Sequence, residues 1–227
     1  MKKRTEKLLQ WIPLEILITA IVFLLSLFAF SFIVHEAVLE QEDIFDQSVI
    51  HFFSTHASPG LISFMEHFTF FGSTTFLLPA YLVLIIWLIQ QKKTAYAIDT
   101  AVLGITSTAL MMVLKNIFQR HRPALPVIRA VSGYSFPSGH SLSSFVFSSI
   151  LIYLVWKSNM KPGLKNILLL LLILYPLLIG LSRIVLNVHY ATDVIGGFCA
   201  AIVWVILSFV ITQKLRKQQG VNNSGVA

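Results

Sequence analysis

A single cysteine, Cys199, is present in 227 residues. One thiol makes neither an intrachain disulfide nor a cysteine-rich metal site, and inside an apolar stretch it reads as small core filler. Charge is also scarce, at 12% of residues against 56% hydrophobic, with a mean hydropathy of +0.78. A water-soluble domain of this size has no core large enough for so much apolar surface, so lipid is part of the solvent. Acids are scarcer than bases, 10 against 17, leaving a net charge of +7. The basic residues sit in small clusters beside long apolar runs, which carries information on membrane orientation and excludes a polyanion groove for nucleic acid. Met1-Lys2-Lys3-Arg4 followed by the uncharged run Ile16 to Val34 resembles a secretory signal. The run is too long and no small-residue cleavage site follows it, so it is read as a first membrane helix.

Charge-free apolar segments recur at about 16–34, 68–89, 95–114, 141–156, 166–182 and 194–213. Each is near the ~20 residues that cross a hydrocarbon core, which predicts an all-α, six-helix integral membrane bundle over 1–213 and a basic, disordered cytoplasmic tail over 214–227. With the amino terminus in the cytoplasm, 12 of the 17 basic residues fall on the inner side, as the positive-inside rule requires. The other five, Lys115, Arg120, Arg122, Arg129 and Arg183, fall on the outer side and need another explanation. The outer segment from His35 to His67 is acidic and carries Phe45, Val49, Phe52 and Phe53 at helical spacing. It predicts one or two short interfacial helices on the outer side, with packing against the bundle favoured over a lid.

Three short segments carry the chemistry. Lys115 and Arg122 stand seven apart, two helical turns if the third helix runs on to Pro123, and would grip one anion from the same side. Snorkelling at the membrane boundary accounts for one such cation but poorly for four within 15 residues. In Phe136-Pro137-Ser138-Gly139-His140, Ser138 is placed to cap the fourth helix, and Gly139 lets backbone approach a ligand at the helix's positive end. These are also ordinary helix-start signals, and His140 is what lifts the segment above them. In Ser182 to Asp193, Arg183 precedes a His189/Asp193 pair four residues apart, where the carboxylate can hold one ring nitrogen and leave the other as a nucleophile. The alternation of spans puts all three segments at the outer face.

These segments resemble the type 2 phosphatidic acid phosphatase superfamily, whose signature is Lys, six residues, Arg-Pro; then Pro-Ser-Gly-His; then Ser-Arg, five residues, His, three residues, Asp. Lys115 to Pro123, Pro137 to His140 and Ser182 to Asp193 match every defining position over about 80 residues. The surrounding spans resemble the bacterial membrane branch, which includes phosphatidylglycerophosphate and undecaprenyl pyrophosphate phosphatases.

The resemblance implies that His189 attacks phosphorus and becomes a phosphohistidine, that Asp193 orients it, and that His140 protonates the leaving oxygen. Lys115, Arg122, Ser138, Gly139 and Arg183 would hold the phosphoryl oxygens. Three cations balance the ~1.5–2 charges of a phosphate monoester, and Asp193 alone is too few carboxylates for a Mg²⁺ site, so neither metal nor cofactor is expected. The expected partners are the bilayer and a membrane lipid phosphate, with undecaprenyl pyrophosphate or phosphatidylglycerophosphate favoured over phosphatidic acid or broad specificity. Arg120, His121 and Arg129 are either solvated loop residues or extra charge for a pyrophosphate. A water-soluble ester, vanadate-dependent peroxide chemistry and a non-enzymatic lipid-phosphate binder or transporter are the competing uses of the same architecture. Gly196 and Gly197 predict close helix packing within one subunit; no residue pattern names an oligomer interface.

Overall fold

The computed structural model describes residues 13–41, 43–128 and 132–218. Among them there is no strand. Helix α1 (Leu14–Ile33) runs into a π turn (Val34–Leu39), together a 26-residue apolar span. Two shorter helices follow, α2 (Ile44–His56) and α3 (Pro59–Thr69), and then a 3-10 turn (Phe70–Gly72). The remaining spans are α4 (Thr74–Gln90), α5 (Thr94–Phe118), α6 (Gly139–Trp156), α7 (Pro162–Val185) and α8 (Ala191–Gln218).

Five of these helices are long and apolar enough to cross a membrane singly, and the pair Pro59–Gly72 and Thr74–Gln90, bent by 43°, passes the same test together, giving up to six spans. The second span therefore differs from the continuous segment expected at 68–89. Its cause is local: Ser73 accepts the Phe76 N–H at 3.3 Å and restarts the helix after the 3-10 turn. Helix α8 continues through Gln218, so the first five residues assigned to a disordered tail are helical. The amino-terminal basic cluster, Arg129 and the end of the tail lie outside the described residues. The acidic outer segment forms two helices, as its spacing predicts. Met65 of α3 packs on Val185, Leu186 and Val188, with Phe53 of α2 against the same cluster.

The bundle centre is α6, whose Leu142, Val146 and Ile150 bury against Ala200 and Ala201 of α8. In lipid, helices associate through small residues and interhelical hydrogen bonds. Ser141, Ser144 and Ser148 of α6 are buried, and Ser148 Oγ donates to the Leu172 carbonyl of α7. A Cβ on Gly197 would lie 2.9 Å from the Ser138 carbonyl and one on Gly196 2.5 Å from the Phe136 ring. Both glycines thus seat α8 on the start of α6 within one chain. Leu24, Phe28, Val83, Ile105 and Leu170 point outward, where lipid would cover them. The carboxyl ends of α5 and α7 and the amino ends of α6 and α8 meet at the end of the bundle that α2 and α3 cap.

Candidate active site

Helix α5 does not reach Pro123. It stops at Phe118, where Gln119 takes a left-handed conformation (φ 47°) and donates its N–H to the Lys115 carbonyl at 3.0 Å. Lys115 and Arg122 are therefore not two turns apart on one helix, which corrects the helical-face argument. They converge because both bind the carbonyls of the loop before α6. Lys115 Nζ donates to the Tyr134 carbonyl at 2.5 Å and the Ser135 carbonyl at 3.3 Å. Arg122 donates from Nε to Gly133 O at 2.9 Å and from Nη2 to Tyr134 O at 3.3 Å.

Ser138 caps α6 as its sequence position predicts, its Oγ accepting from the Ser141 N–H at 3.4 Å and from the Ser141 hydroxyl at 2.9 Å. Its own N–H donates to the Asp193 carbonyl at 3.0 Å, tying the second motif to the third through backbone. A Cβ on Gly139 would lie 2.6 Å from Met111 Sδ. A side chain at this position would have to displace the Met111 side chain of α5. His140 is half-buried beside Gly72, where a Cβ would approach its ring to 3.2 Å. It lies within electrostatic reach of Arg183, His189, Arg122 and Lys115.

His189 sits in the loop between α7 and α8 and is 2% exposed. Asp193 is the third residue of α8 and reaches back to accept the Tyr190 N–H at 2.9 Å, half of a capping box. The same oxygen, Oδ2, lies 3.3 Å from His189 Nδ1 and accepts from the Ser135 hydroxyl, which is itself 3.2 Å from Nδ1. A carboxylate at Nδ1 places the ring proton there, leaving the Nε2 lone pair free; Arg122 Nη1 points at it from 3.1 Å. Burial, reinforced by Arg122 and Arg183 and opposed by Asp193, pushes the imidazole pKa down to about 4 from the ordinary 6.5, so the ring is neutral near pH 7. Arg183 is 3% exposed; its Nη1 donates to Thr69 Oγ1 of α3 at 2.8 Å, and its buried Nε has no partner among the described residues. Lys115, Arg122, Ser138, Gly139, His140, Arg183, His189 and Asp193 thus assemble at one end of the bundle.

The profile of the PAP2 superfamily matches residues 95–217. The chain belongs to the PAP2 superfamily. Its relatives include phosphatidylglycerophosphatase B of Bacillus subtilis, 29% identical over 70% of this chain and 79% of that protein. Undecaprenyl-diphosphatase BcrC of the same organism is 27% identical over 74% of this chain and 82% of its own length. In three dimensions the chain is similar to the crystal structure of a transmembrane PAP2 type phosphatidylglycerolphosphate phosphatase from Bacillus subtilis, with a TM-score of 0.73, 26% identity and coverage of 87% and 96% of the two chains. It is also similar to Aquifex aeolicus LpxE, with a TM-score of 0.55, 27% identity and coverage of 72% and 94%. The protein is a multi-pass membrane phosphatase of the bacterial PAP2 branch.

Around these PAP2 motifs the fold adds groups that motif spacing gives no means to find. Asp46 of α2 is fully buried and accepts from Arg120 Nη2 at 2.8 Å and from the Thr192 N–H at 3.0 Å. Arg120 Nη1 donates to Asp193 Oδ1 at 2.8 Å. Arg120 is therefore neither a solvated loop residue nor spare charge for a second phosphate, because both ends of its fork are taken by carboxylates. His121 is exposed, and among the described residues it has no side-chain hydrogen bond or ion pair into the site. Ser135 and Thr69 were also invisible in sequence: each is an ordinary hydroxyl until the loop and α3 fold onto the third motif.

Proposed function

We propose that the protein hydrolyses the phosphate ester of a membrane lipid through a phosphohistidine on His189, at the extracytoplasmic face. The observation that carries this reading is the His189 ring, neutral near pH 7 with Nδ1 held by Asp193 and Nε2 facing Arg122. In the first step the Nε2 lone pair forms a bond to phosphorus, the phosphorus–oxygen ester bond breaks, and His140 gives its proton to the departing oxygen. In the second, His140 takes a proton from water, the water oxygen bonds to phosphorus, and the P–N bond breaks to release phosphate and neutral His189. Lys115, Arg122 and Arg183 offset the charge that gathers on the phosphoryl oxygens. The unpartnered Nε of Arg183 is a donor ready for one of them. Arg122, whose Nη1 points at Nε2 from 3.1 Å, would turn it to the incoming group.

No metal is assigned a role. Both carboxylates near the site are already engaged: Asp46 by Arg120 and Thr192, Asp193 by Arg120, Ser135, Tyr190 and His189. A hard divalent cation needs oxygens that these donors occupy.

A lipid tail has a place to lie. An apolar groove of about 550 Å³ runs from Phe70 and Phe76 past Val83 and Leu84 to Trp87, with Phe147 and Leu151 of α6 on its other wall. Its outer end is the Phe70–Gly72 turn that touches His140. Phosphatidylglycerophosphate is the better supported of the two favoured substrates. Arg120, one of the cations that would have served a pyrophosphate, is committed to Asp46 and Asp193, and a Bacillus subtilis phosphatase named for this lipid is similar to the chain in both sequence and structure.

Phosphate release by the purified protein, measured on phosphatidylglycerophosphate, undecaprenyl pyrophosphate, phosphatidic acid and a water-soluble phosphate ester with EDTA present, tests the reading. Preference for the first lipid and inactivity of His189→Ala are expected. Turnover of the soluble ester at the rate of the lipids, or an active His189→Ala, would overturn it.

A further inference from the structure

Asp46 is the least expected charge in the molecule. It is the third residue of α2, a helix at the end of the bundle, yet its side chain is 0% exposed. Burying a carboxylate is costly unless it is paired and hydrogen-bonded, and this one is saturated. Thr192 supplies its N–H at 3.0 Å to Oδ1 and its hydroxyl at 2.5 Å to Oδ2, while Arg120 Nη2 reaches Oδ2 at 2.8 Å.

Arg120 is held as completely. Its Nη1 contacts Thr192 Oγ1 at 2.7 Å and Asp193 Oδ1 at 2.8 Å, and its guanidinium lies 4.2 Å above the centre of the Tyr190 ring. One planar fork thus joins the carboxylate of α2 to the carboxylate behind His189. With Oδ1 of Asp193 pinned by Arg120, Oδ2 is left to Ser135, the Tyr190 N–H and His189 Nδ1.

We infer that Asp46 and Arg120 are positioning residues for His189, Arg120 orienting Asp193 and Asp46 balancing the charge of Arg120 so that Asp193 still acts as an anion toward the imidazole. The inference rests on the reading of His189 as the nucleophile. The charge count gives its physical content. Asp46, Arg120 and Asp193 together carry one net negative charge beside a ring that turns cationic when Nε2 takes the phosphoryl group. Without Asp46, the Arg120 cation would cancel Asp193, and the ring would lose the field that stabilises it in that step. Helix α2 is then part of the reacting site, not a lid over it.

The first test is Asp46→Asn, which keeps shape and removes charge. Steady-state turnover of a lipid phosphate in detergent micelles should show kcat lowered at least tenfold with KM within about twofold, because Asp46 has no hydrogen bond or ion pair with Lys115, Arg122 or Arg183. The double variant Asp46→Asn/Arg120→Gln removes the unbalanced cation as well and should recover at least threefold in kcat over Asp46→Asn. A residue that merely docked α2 would give a double variant no better than the single. Wild-type kcat in Asp46→Asn, a loss confined to KM, or no recovery in the double variant would each overturn the inference. Should Asp46→Asn fail to fold, Arg120→Lys keeps the charge but cannot hold two carboxylates; a tenfold fall in kcat at constant KM is expected, and wild-type kcat refutes the proposal. His189→Ala run alongside separates the two readings: if it is active the nucleophile assignment falls, whereas if it is dead and Asp46→Asn is fully active only the positioning role falls.

Discussion

Replacing Asp193 by Asn preserves the outline of the side chain but strips the charge facing His189 Nδ1 at 3.3 Å. Both groups are buried, 0% and 2% exposed, so screening by water is small. At an effective dielectric of ~20, attraction between unit charges at that separation is about 5 kcal/mol. Arg120 already draws on the other carboxylate oxygen, so we take between half and all of that as the loss when the ring becomes a phosphoimidazolium. Converted to rate, this is roughly a 10²- to 10⁴-fold fall in kcat. KM should change little, since Asp193 has no hydrogen bond to the three cations of the pocket. The assay is phosphate release from micellar lipid phosphate, together with acid-quenched trapping of phosphorylated protein, which should be diminished in step with kcat. A melting curve guards against misfolding, because the amide nitrogen replaces the acceptor of either the Tyr190 N–H or Arg120. If a folded Asp193→Asn protein keeps more than a tenth of wild-type kcat, the carboxylate does not stabilise a cationic ring, and the assignment of His189 loses its main support.

The acid limb of kcat/KM, after allowance for ionisation of the substrate, should fall near pH 4 and not near the ordinary 6.5, because burial keeps His189 neutral. A limb near 6.5 would contradict this. The same depressed value makes the folded state bind fewer protons than the unfolded one between about pH 6.5 and 4; this contribution to stability is intact above 6.5 and lost as pH falls through that window, which melting at stepped pH would show. Thr69→Val removes the acceptor of Arg183 Nη1 and should raise KM about 3- to 10-fold, corresponding to roughly 1 kcal/mol for one hydrogen bond; an unchanged KM would mean that α3 does not position Arg183. EDTA should leave activity within twofold of the untreated enzyme, and abolition with rescue by Mg²⁺ would reassign the chemistry. Gly197→Val, whose Cβ meets the Ser138 backbone at 2.9 Å, should destabilise by about 1–3 kcal/mol and lower the melting temperature; an unchanged melting curve would deny the close approach of α8 to α6.

The membrane helices were legible in the sequence because a membrane leaves the backbone few alternatives: an apolar stretch of ~20 residues must satisfy its own hydrogen bonds as a helix. The break at Phe70–Gly72 was signalled by Gly72 and the cap residue Ser73, but the apolar residues on both sides outweigh that signal in a count of hydropathy alone. Within the site, Ser138 as a cap and His189 beside Asp193 follow from local spacing, which governs caps and near neighbours. Lys115 with Arg122 shows where that kind of argument fails. The pair does converge, but through the Tyr134 carbonyl and not along a helix, because Gln119 turns the chain out of α5.

The separation that mattered most was among the basic residues at the site end of the bundle. From sequence alone, Lys115, Arg120, Arg122 and Arg183 are expected to serve something other than topology, since they depart from the charge asymmetry that an inside amino terminus gives the twelve others. Tertiary structure decided that they do not all serve the same thing. Lys115, Arg122 and Arg183 lie with His189 around His140, whereas Arg120 is engaged by Asp46 and Asp193. The physical reason is that a charge is assigned by what it faces. Asp46 and Arg120 are 74 residues apart in the chain, so only the packing of an outer helix against the start of α8 could bring them together.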